Sequence, residues 1–177
     1  ARIDSLKYNE HLSINGVDVS LHPAGHLLGS SQVRVRHHGT TWVVTGDYKL
    51  QNDSTCDCFE PIPCDVFVTE STFGLPVYRW PDPETVAQEI NAWWRANAES
   101  GRTSVLLAYA LGKAQRLASM LDQSIGPIYG HGAVMKLVEA YRASGVRLPP
   151  INRIPPHSRK IGGGRGIVIA PPSAAAT

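Results

Sequence analysis

Apolar and polar residues alternate along the first part of the chain, which predicts short β-strands. The alternation is clearest at residues 17–21 and 33–35, and a period of two is typical of strands with one buried face. Residues 42–44 form an apolar run that predicts a more fully buried strand, and residues 38–40 predict a compact hairpin turn before it. A further short strand is predicted at 66–69. The segment from about 14 to 70 is thus expected to be a small β-rich structure joined by glycine turns.

From residue 82 onward the spacing of apolar residues changes to that of helices alternating with strands. Asp82 and Pro83 are favoured at a helix start, and the apolar face that follows includes Trp93 and Trp94, which we expect to pack in the core. Two more helices are predicted, with Gly145 ending the last one. Apolar strands are predicted at 105–109, 127–129 and 166–170. Repeated strand–helix units predict a small parallel sheet with covering helices.

Composition limits the class of protein but not its function. The chain has 177 residues, of which 42% are hydrophobic and 18% charged, which is typical of a folded domain or two small ones. No apolar run approaches the length of a membrane span, no signal peptide is recognisable, and we therefore expect a cytoplasmic protein without a membrane partner. A net charge of +2 neither requires nor excludes a nucleic-acid partner.

The three cysteines, Cys56, Cys58 and Cys64, lie in one proline-containing stretch. An odd number of cysteines argues against a disulfide framework. A zinc site would need a fourth ligand from the acidic residues of the same stretch. We interpret the three thiols as reduced structural side chains, with the zinc site as the alternative.

Two glycine-flanked turns carry the clearest candidate chemistry. His26 follows Gly25 after one predicted strand, and Asp47 follows Gly46 after another. A neutral imidazole and a carboxylate are ligands that Zn²⁺ and Mn²⁺ accept. Either residue alone is equally typical of an ordinary turn. The two together support a metal site, with two turn residues that bind no metal as the alternative.

The sequence around these turns resembles a known family. Residues 21–30, 45–49 and 69–74 read LHPAGHLLGS, TGDYK and TESTFG. They resemble the third and fourth metal motifs and the next acidic motif of the metallo-β-lactamase-fold nucleases that carry a β-CASP insert. Residues 60–65, 72–76 and 109–115 resemble the bacterial ligase-associated DNA exonucleases of that branch, which are similar to mRNA 3′-end processing factors.

The resemblance implies an α/β protein in two parts. Residues 1–80 would form the C-terminal part of a metallo-β-lactamase-like β-sandwich, and residues 81–177 a β-CASP-like parallel α/β cap. The family carries a His-x-His-x-Asp-His cluster upstream, which supplies most of the metal ligands, and this spacing does not occur in the chain. The chain starts without an initiator Met and stops just after an apolar strand. We expect an internal fragment with an incomplete active site.

The resemblance also implies roles for the candidate residues. The residue that matches Asp47 bridges two divalent ions, zinc or manganese, and the residue that matches His26 binds one of them. Because two protein ligands rarely hold zinc, we expect this chain alone to bind metal weakly or not at all. Glu70 resembles the first β-CASP acidic motif and would either orient a metal-bound histidine or shuttle a proton. A simple turn cap formed by residues 70–72 is the alternative.

Other residues are candidates for binding nucleic acid. Gly112 and Lys113 open a predicted helix, where free N–H groups and the ammonium could bind phosphate; simple capping is the alternative. Trp80, in an exposed-looking loop, is a candidate for base stacking. Several cations could line a groove that follows the phosphate backbone, although a solvated surface is the alternative for each one. They are Lys49, Arg79, Arg153, Arg159, Lys160 and Arg165.

The predicted function is metal-dependent hydrolysis of phosphodiester bonds in DNA, exonucleolytic and linked to repair, with DNA ligase or helicase partners implied by the resemblance. RNA processing is the enzymatic alternative, because related enzymes cleave RNA with the same motifs. A non-catalytic nucleic-acid-binding scaffold of the same fold is the second alternative.

Overall fold

A computed structural model describes residues 5–156 and 160–175. The chain divides into two compact units, Ala1–Tyr78 and Arg79–Thr177. The first unit is built on a five-stranded sheet and the second on a four-stranded sheet with three α-helices. Mixed α/β architecture is confirmed. The assignment of residues 1–80 and 81–177 to a sandwich and a cap stays a prediction.

The first sheet has its strands in sequence order. They are β1 (His11–Ile14), β2 (Val17–Pro23), β3 (Ser31–His37), β4 (Thr40–Val44) and β5 (Val66–Val68). The first four form an antiparallel meander, and β5 pairs with β4 in parallel. Tight two-residue turns at Asn15-Gly16 and His38-Gly39 have positive φ at both positions, as the favoured hairpin turns require. The predicted compact turn at 38–40 is confirmed.

The apolar run at 42–44 is not fully buried, and that prediction was wrong. Val43 is completely buried, whereas Trp42 is 47% and Val44 41% exposed. Successive side chains of a strand point to opposite faces. At β4, the position of Val43 is therefore covered, whereas the side that carries Trp42 and Val44 is largely open among the described residues.

The second unit alternates helices and strands, as predicted. Its elements are α1 (Pro83–Glu99), β6 (Ser104–Leu107), α2 (Lys113–Ser119), β7 (Ile128–Gly130), α3 (Gly132–Ala143), β8 (Ile151–Arg153) and β9 (Ile167–Ala170). Short 3-10 segments lie at Ile161–Gly164 and Pro172–Ala175. All strand pairs are parallel, in the order β6-β9-β7-β8. The strand β8 was not predicted, because it lies in a proline-rich stretch with a single buried residue, Ile151.

Helix α1 starts and packs as its sequence indicates, with one exception. The Asp82 side chain accepts a hydrogen bond from the N–H of Glu84, and Pro83 is the first helical residue. Trp94 is completely buried and its indole N–H donates to the Arg165 carbonyl at 2.9 Å. Trp93 is 44% exposed, so the prediction that both tryptophans pack in the core was wrong for Trp93. Neighbouring helical residues lie about 100° apart around the axis, which separates the two rings.

Helix α2 is shorter than its apolar spacing indicates. It ends at Ser119, although the apolar pattern runs on to the buried Leu121. No α-helix among the described residues is both long and apolar enough to cross a membrane.

Candidate metal centre and nucleic-acid surface

His26 lies in a compact loop between β2 and β3. The loop is closed at its base by a hydrogen bond from the Ala24 N–H to the Ser30 carbonyl at 3.0 Å. The Ser30 hydroxyl oxygen accepts from the N–H groups of His26 and Leu27, at 3.1 and 3.2 Å. One serine thus holds the backbone of this loop from inside, and the His26 side chain remains 42% exposed.

Asp47 comes three residues after β4 and lies beside His26. The N–H of Thr45 donates to the Val68 carbonyl at 3.0 Å, which extends the β4–β5 pairing to the residue before Gly46. Gly46 has φ +57, a conformation that turns the chain and that glycine adopts without strain. The Asp47 Oδ2 atom then lies 3.9 Å from His26 Nε2, with 76% of the Asp47 side chain exposed. The two predicted ligands are therefore brought together.

The separation of these two atoms suits a shared cation. Ligand atoms about 2.0–2.2 Å from a tetrahedral zinc ion lie about 3.4 Å from one another. The 3.9 Å between His26 Nε2 and Asp47 Oδ2 reaches that value with a small side-chain rotation. Within residues 5–156 and 160–175, however, no three His, Cys, Asp or Glu side chains are grouped to hold a metal ion. The donor atoms of His26 and Asp47 are of the kind that divalent metals accept, and the role of the two residues as ligands stays a prediction.

Gly25 fixes the His26 loop against two other segments of the same unit. It has φ +71, and a Cβ at this position would overlap the Lys49 carbonyl oxygen and lie 2.9 Å from the Phe59 nitrogen. The N–H of Lys49 donates to the Ala24 carbonyl at 3.0 Å. This bond links the turn before His26 to the segment just after Asp47, so the two candidate ligands have a common backbone support.

A buried polar network lies beneath this loop. Gln32 is completely buried and its amide NH₂ donates to the carbonyls of Pro23 and Glu60, at 2.9 and 2.7 Å. His22, the cross-strand neighbour of Gln32, bonds through one ring nitrogen to the Glu60 carboxylate at 2.9 Å and through the other to the Ser20 hydroxyl at 3.0 Å. The network joins β2, β3 and the 59–60 segment below the candidate ligands.

Sequence reasoning missed this network, although a signal was present. Ser20 and His22 alternate with Val19 and Leu21 in β2, and the polar residues, rather than the apolar ones, take the most buried positions. Buried polar side chains need hydrogen-bond partners. Those partners come from distant parts of the chain, which the strand pattern alone does not identify.

Glu70 lies two residues after β5, and its carboxylate is held by its own turn. Its Oε2 accepts the Thr72 N–H at 2.6 Å. Hydrogen bonds from Thr72 lower the pKa of Glu70, with a smaller contribution from the charge of His26. The bond from Thr72 agrees with the turn cap, and the orienting or proton-shuttling role of Glu70 stays a prediction. A glutamate whose pKa is at or below its ordinary value is ionised at neutral pH.

Lys49 is occupied by an ion pair. Its ammonium lies 2.5 Å from Asp53 Oδ2, and the two side chains are only 18% and 4% exposed. Burial alone would raise the pKa of Asp53, but hydrogen bonds from Lys49 and Thr55 outweigh it and lower that pKa overall. The proposed contact between Lys49 and nucleic acid stays a prediction, and in the structure this lysine stabilises the 49–55 segment.

The cysteines are free thiols. The Cys56 Sγ donates a weak hydrogen bond to the Gly25 carbonyl at 3.5 Å, and Cys58 Sγ donates to the Asn52 side chain at 3.4 Å. Burial, together with the charge of Asp53, raises the pKa of Cys56. These contacts agree with the interpretation of the thiols as structural side chains.

In the second unit, the backbone at the start of α2 differs from what was expected. The N–H groups of Gly112, Lys113 and Ala114 donate to the Gln115 side chain, the Leu111 carbonyl and the Tyr109 carbonyl, at 2.8, 3.0 and 3.1 Å. The expectation of free N–H groups here was wrong, because the preceding loop folds back on them. A phosphate contact at this position would rest on the Lys113 ammonium alone.

The remaining candidates for nucleic-acid binding lie at the surface. Trp80 is 63% exposed. Arg153 pairs with Glu139 at 3.4 Å, and the Arg165 guanidinium donates to the Ile125 carbonyl at 2.8 Å. Arg159 lies outside the described residues. A groove formed by these cations stays a prediction.

Comparison with known proteins identifies the family. No family model matches the chain. A stretch of 134 residues is 34% identical to a probable DNA ligase of Opitutus terrae, covering 75% of this chain and 13% of that protein. Stretches of 124 residues are 32% identical to endoribonuclease Ysh1 of Schizosaccharomyces pombe and 29% identical to cleavage and polyadenylation specificity factor subunit 3 of Dictyostelium discoideum, each covering 69% of this chain and 16% of the relative. The chain belongs to the β-CASP branch of the metallo-β-lactamase fold.

As a β-CASP family member, the chain spans a small part of its relatives. It covers only 13–16% of the length of the three proteins named above. The identity to these relatives establishes family membership. Because the chain covers so little of their length, the activity, substrates and partners of the whole protein are proposals.

Proposed function

We propose that this chain contributes one side of a divalent-metal site to a nuclease that hydrolyses phosphodiester bonds. The observation that carries the proposal is the 3.9 Å approach of His26 Nε2 to Asp47 Oδ2, at the ends of loops tied together by the Ala24–Lys49 hydrogen bond. In the same proposal, the first sheet is part of a metallo-β-lactamase sandwich and the second unit is a β-CASP cap.

The proposed ligands are His26 and Asp47, and the proposed ion is Zn²⁺ or Mn²⁺ at a two-metal centre. Such ions acidify a bound water and neutralise charge on the phosphate. A carboxylate at position 47 can turn one oxygen toward each of two cations. Its high exposure leaves the second oxygen accessible to ligands and substrate from outside this unit.

Glu70 is proposed to orient the His26 imidazole rather than to donate a proton. A general acid must hold a proton at the working pH, whereas the pKa of Glu70 is lowered by its hydrogen bonds from Thr72. An ionised Glu70 raises the basicity of a nearby histidine ligand, as carboxylates beside metal-bound histidines do.

The polynucleotide itself would be held by cations and aromatic rings. We propose Lys113 as a phosphate contact and Trp80 as a stacking residue. Gly112 allows the turn that precedes Lys113, because glycine adopts the φ of +78 found at this position without strain. Lys49 remains a candidate only if its ion pair with Asp53 opens. These residues contact the strand without selecting its sequence.

DNA and RNA are both supported as substrates. A relative named as a probable DNA ligase supports DNA as the substrate; exonucleolytic action in repair, with ligase or helicase partners, is part of the proposal and rests on the resemblance alone. Relatives named as endoribonucleases favour RNA processing equally well. A cytoplasmic location stays a prediction. A non-catalytic scaffold is the remaining alternative, favoured by the presence of only two grouped ligands among the described residues.

Metal binding by the 177-residue chain tests the ligand pair directly. Mn²⁺ is titrated while histidine ring signals are followed by NMR, with His131 of the second unit as an internal control. We expect weak binding that broadens the His26 signal first and is lost in Asp47→Asn but retained in Asp57→Asn. Equal broadening of His26 and His131 would contradict the proposed ligand pair.

Turnover is tested in the complete protein, of which this chain would be one part. Asp47→Asn is expected to abolish hydrolysis and leave affinity for the strand nearly unchanged, because affinity rests on Lys and Arg. Labelled single strands of DNA and RNA are compared at equal length. Activity of Asp47→Asn within about threefold of wild type, far less than loss of a metal ligand costs, would remove Asp47 from the site.

A further inference from the structure

The end of β6 carries an aromatic ring with a cation on one face. Tyr109 lies two residues after β6 and is 65% exposed. The Lys113 Nζ atom lies 5.0 Å from the centre of the Tyr109 ring, within the range of a cation–π interaction. We propose that Tyr109 stacks an unpaired nucleobase while Lys113 contacts the adjoining phosphate; this rests on the proposed nucleic-acid function.

The backbone around Tyr109 is rigid, which favours stacking. The Ala108 N–H donates to the Ala170 carbonyl at 2.9 Å, which continues the β6–β9 pairing to the residue before Tyr109. The fully buried Gln115 side chain donates to the Ala110 carbonyl at 3.0 Å and accepts from the Gly112 N–H at 2.8 Å. A ring on a fixed backbone loses little further freedom when a base binds, so more of the stacking energy contributes to affinity.

The positive charge of Lys113 distinguishes this surface from an ordinary apolar protein–protein interface. Val105, Leu107 and Leu111 alternate with Tyr109 along the chain and are 51%, 52% and 47% exposed. An apolar protein interface is depleted of charged residues, lysine in particular, at its centre. Here an ammonium lies against the aromatic ring. Aromatic faces combined with cations are what single-stranded nucleic acids bind, because every base has a π-face and every linkage a negative charge.

The test measures binding of the 177-residue chain to fluorescein-labelled single strands by anisotropy. Separate arms use a 15-mer of deoxythymidine and a 15-mer of uridine, which distinguish DNA from RNA. Tyr109→Ala is expected to weaken binding about tenfold, with Tyr109→Phe close to wild type and Tyr109→Leu close to Tyr109→Ala. Lys113→Ala should reduce the slope of log affinity against log salt by about 0.7, whereas Tyr109→Ala should leave that slope unchanged.

Matched controls separate stacking from other causes. Leu107→Ala removes a 52% exposed apolar side chain at the end of β6, two residues before Tyr109, and Lys136→Ala removes an exposed lysine from α3. Both variants should bind as wild type. Strands that carry 5-iodouracil should photocrosslink to Tyr109 of the wild-type chain. This readout does not depend on whether a variant folds.

Three results would overturn the stacking site. They are wild-type affinity in Tyr109→Leu, crosslinks confined to other residues, and no binding of either strand by the wild-type chain. Self-association of the chain that is lost in Leu107→Ala would identify the surface as a protein contact instead. The Mn²⁺ titration of His26 and Asp47 is measured independently, so failure here is distinguishable from failure of the proposed function.

Discussion

The Lys49 N–H donates to the Ala24 carbonyl at 3.0 Å, and Gly25 packs against the same stretch of backbone so closely that a Cβ would overlap the Lys49 carbonyl oxygen. This contact joins the loop that carries His26 to the segment that follows Asp47. Backbone packing therefore holds the two segments together, and the His26 and Asp47 side chains approach each other to 3.9 Å.

Gly25→Ala should consequently destabilise the protein more than Gly29→Ala. Both glycines have positive φ, at +71 and +79, but a Cβ at Gly29 would have nothing within 4 Å. The backbone conformation alone costs about 1–2 kcal/mol for alanine, and only Gly25→Ala adds the overlap with Lys49. Urea unfolding measures the difference. Equal losses in the two variants would show that the close approach at Gly25 contributes nothing.

Gln32→Leu should lower the free energy of unfolding by about 1–2 kcal/mol, because a buried acceptor left without its partner costs about 1–3 kcal/mol. Part of that cost is offset because the variant also removes the Gln32 Oε1 atom, which is buried without a hydrogen-bond partner among the described residues. The loss falls on the Glu60 carbonyl, because the Pro23 carbonyl keeps its bond from the Glu60 N–H at 3.1 Å when the Gln32 donor is removed. The exposed Gln51 of the same unit provides the control, and Gln51→Leu should stay within about 0.5 kcal/mol of wild type. Similar stability of the two variants in urea would refute this role for Gln32.

The Lys49–Asp53 ion pair should make stability depend on acidity. The pKa of Asp53 is lowered in the folded chain despite burial, owing to hydrogen bonds from Lys49 and Thr55. Its contribution is therefore complete above the unfolded pKa of about 3.9 and is lost as the pH falls through the lower folded value. Asp53→Asn should cost about 2 kcal/mol at pH 7 and show a smaller loss than wild type on acidification from pH 5.

Urea unfolding at a series of pH values measures this dependence, with Asp57→Asn as the control at an exposed aspartate. The control should follow the wild-type curve. Parallel acid curves for wild type and Asp53→Asn would mean that another carboxylate accounts for the acid loss.

The three thiols should react with iodoacetamide at different rates. Cys58 is exposed, whereas Cys56 is partly buried and its pKa is raised by burial and by the charge of Asp53. Since the thiolate is the reactive form, Cys58 should be alkylated first and Cys56 more slowly at pH 7.5. Mass spectrometry of quenched samples follows each site. In urea, Cys58 and Cys56 should be alkylated at similar rates. Faster labelling of Cys56 than of Cys58 in the folded chain would contradict the structure.

Local sequence patterns predicted most of the fold. The two-residue period at 17–21 and the helix start at Asp82 both depend on interactions between near neighbours, and both are observed. The burial of Trp42 and Trp93 was mispredicted because it depends on which face other elements cover. The strand β8 was missed because its proline-rich stretch has a single buried residue, Ile151, and no alternating pattern.

The sequence predicted which residues form the candidate site, but it did not predict how the structure holds them in place. The turns at Gly25 and Gly46 identified His26 and Asp47, and the structure brings these two side chains within 3.9 Å. The support from Gln32 could not be predicted, because its acceptors, Pro23 and Glu60, are 9 and 28 residues away in the sequence.

The order of strands in the first sheet has a kinetic consequence. The strands β1 to β4 pair with their sequence neighbours through short loops, and such local contacts form early in folding. The parallel strand β5 and the contact between Glu60 and Pro23 require closure of longer loops, which is slower because more chain entropy is lost first. We therefore expect the β1–β4 hairpins to form before β5 and the 59–60 segment join them, so that a partly folded chain has the antiparallel meander before it has the backbone support at Gly25.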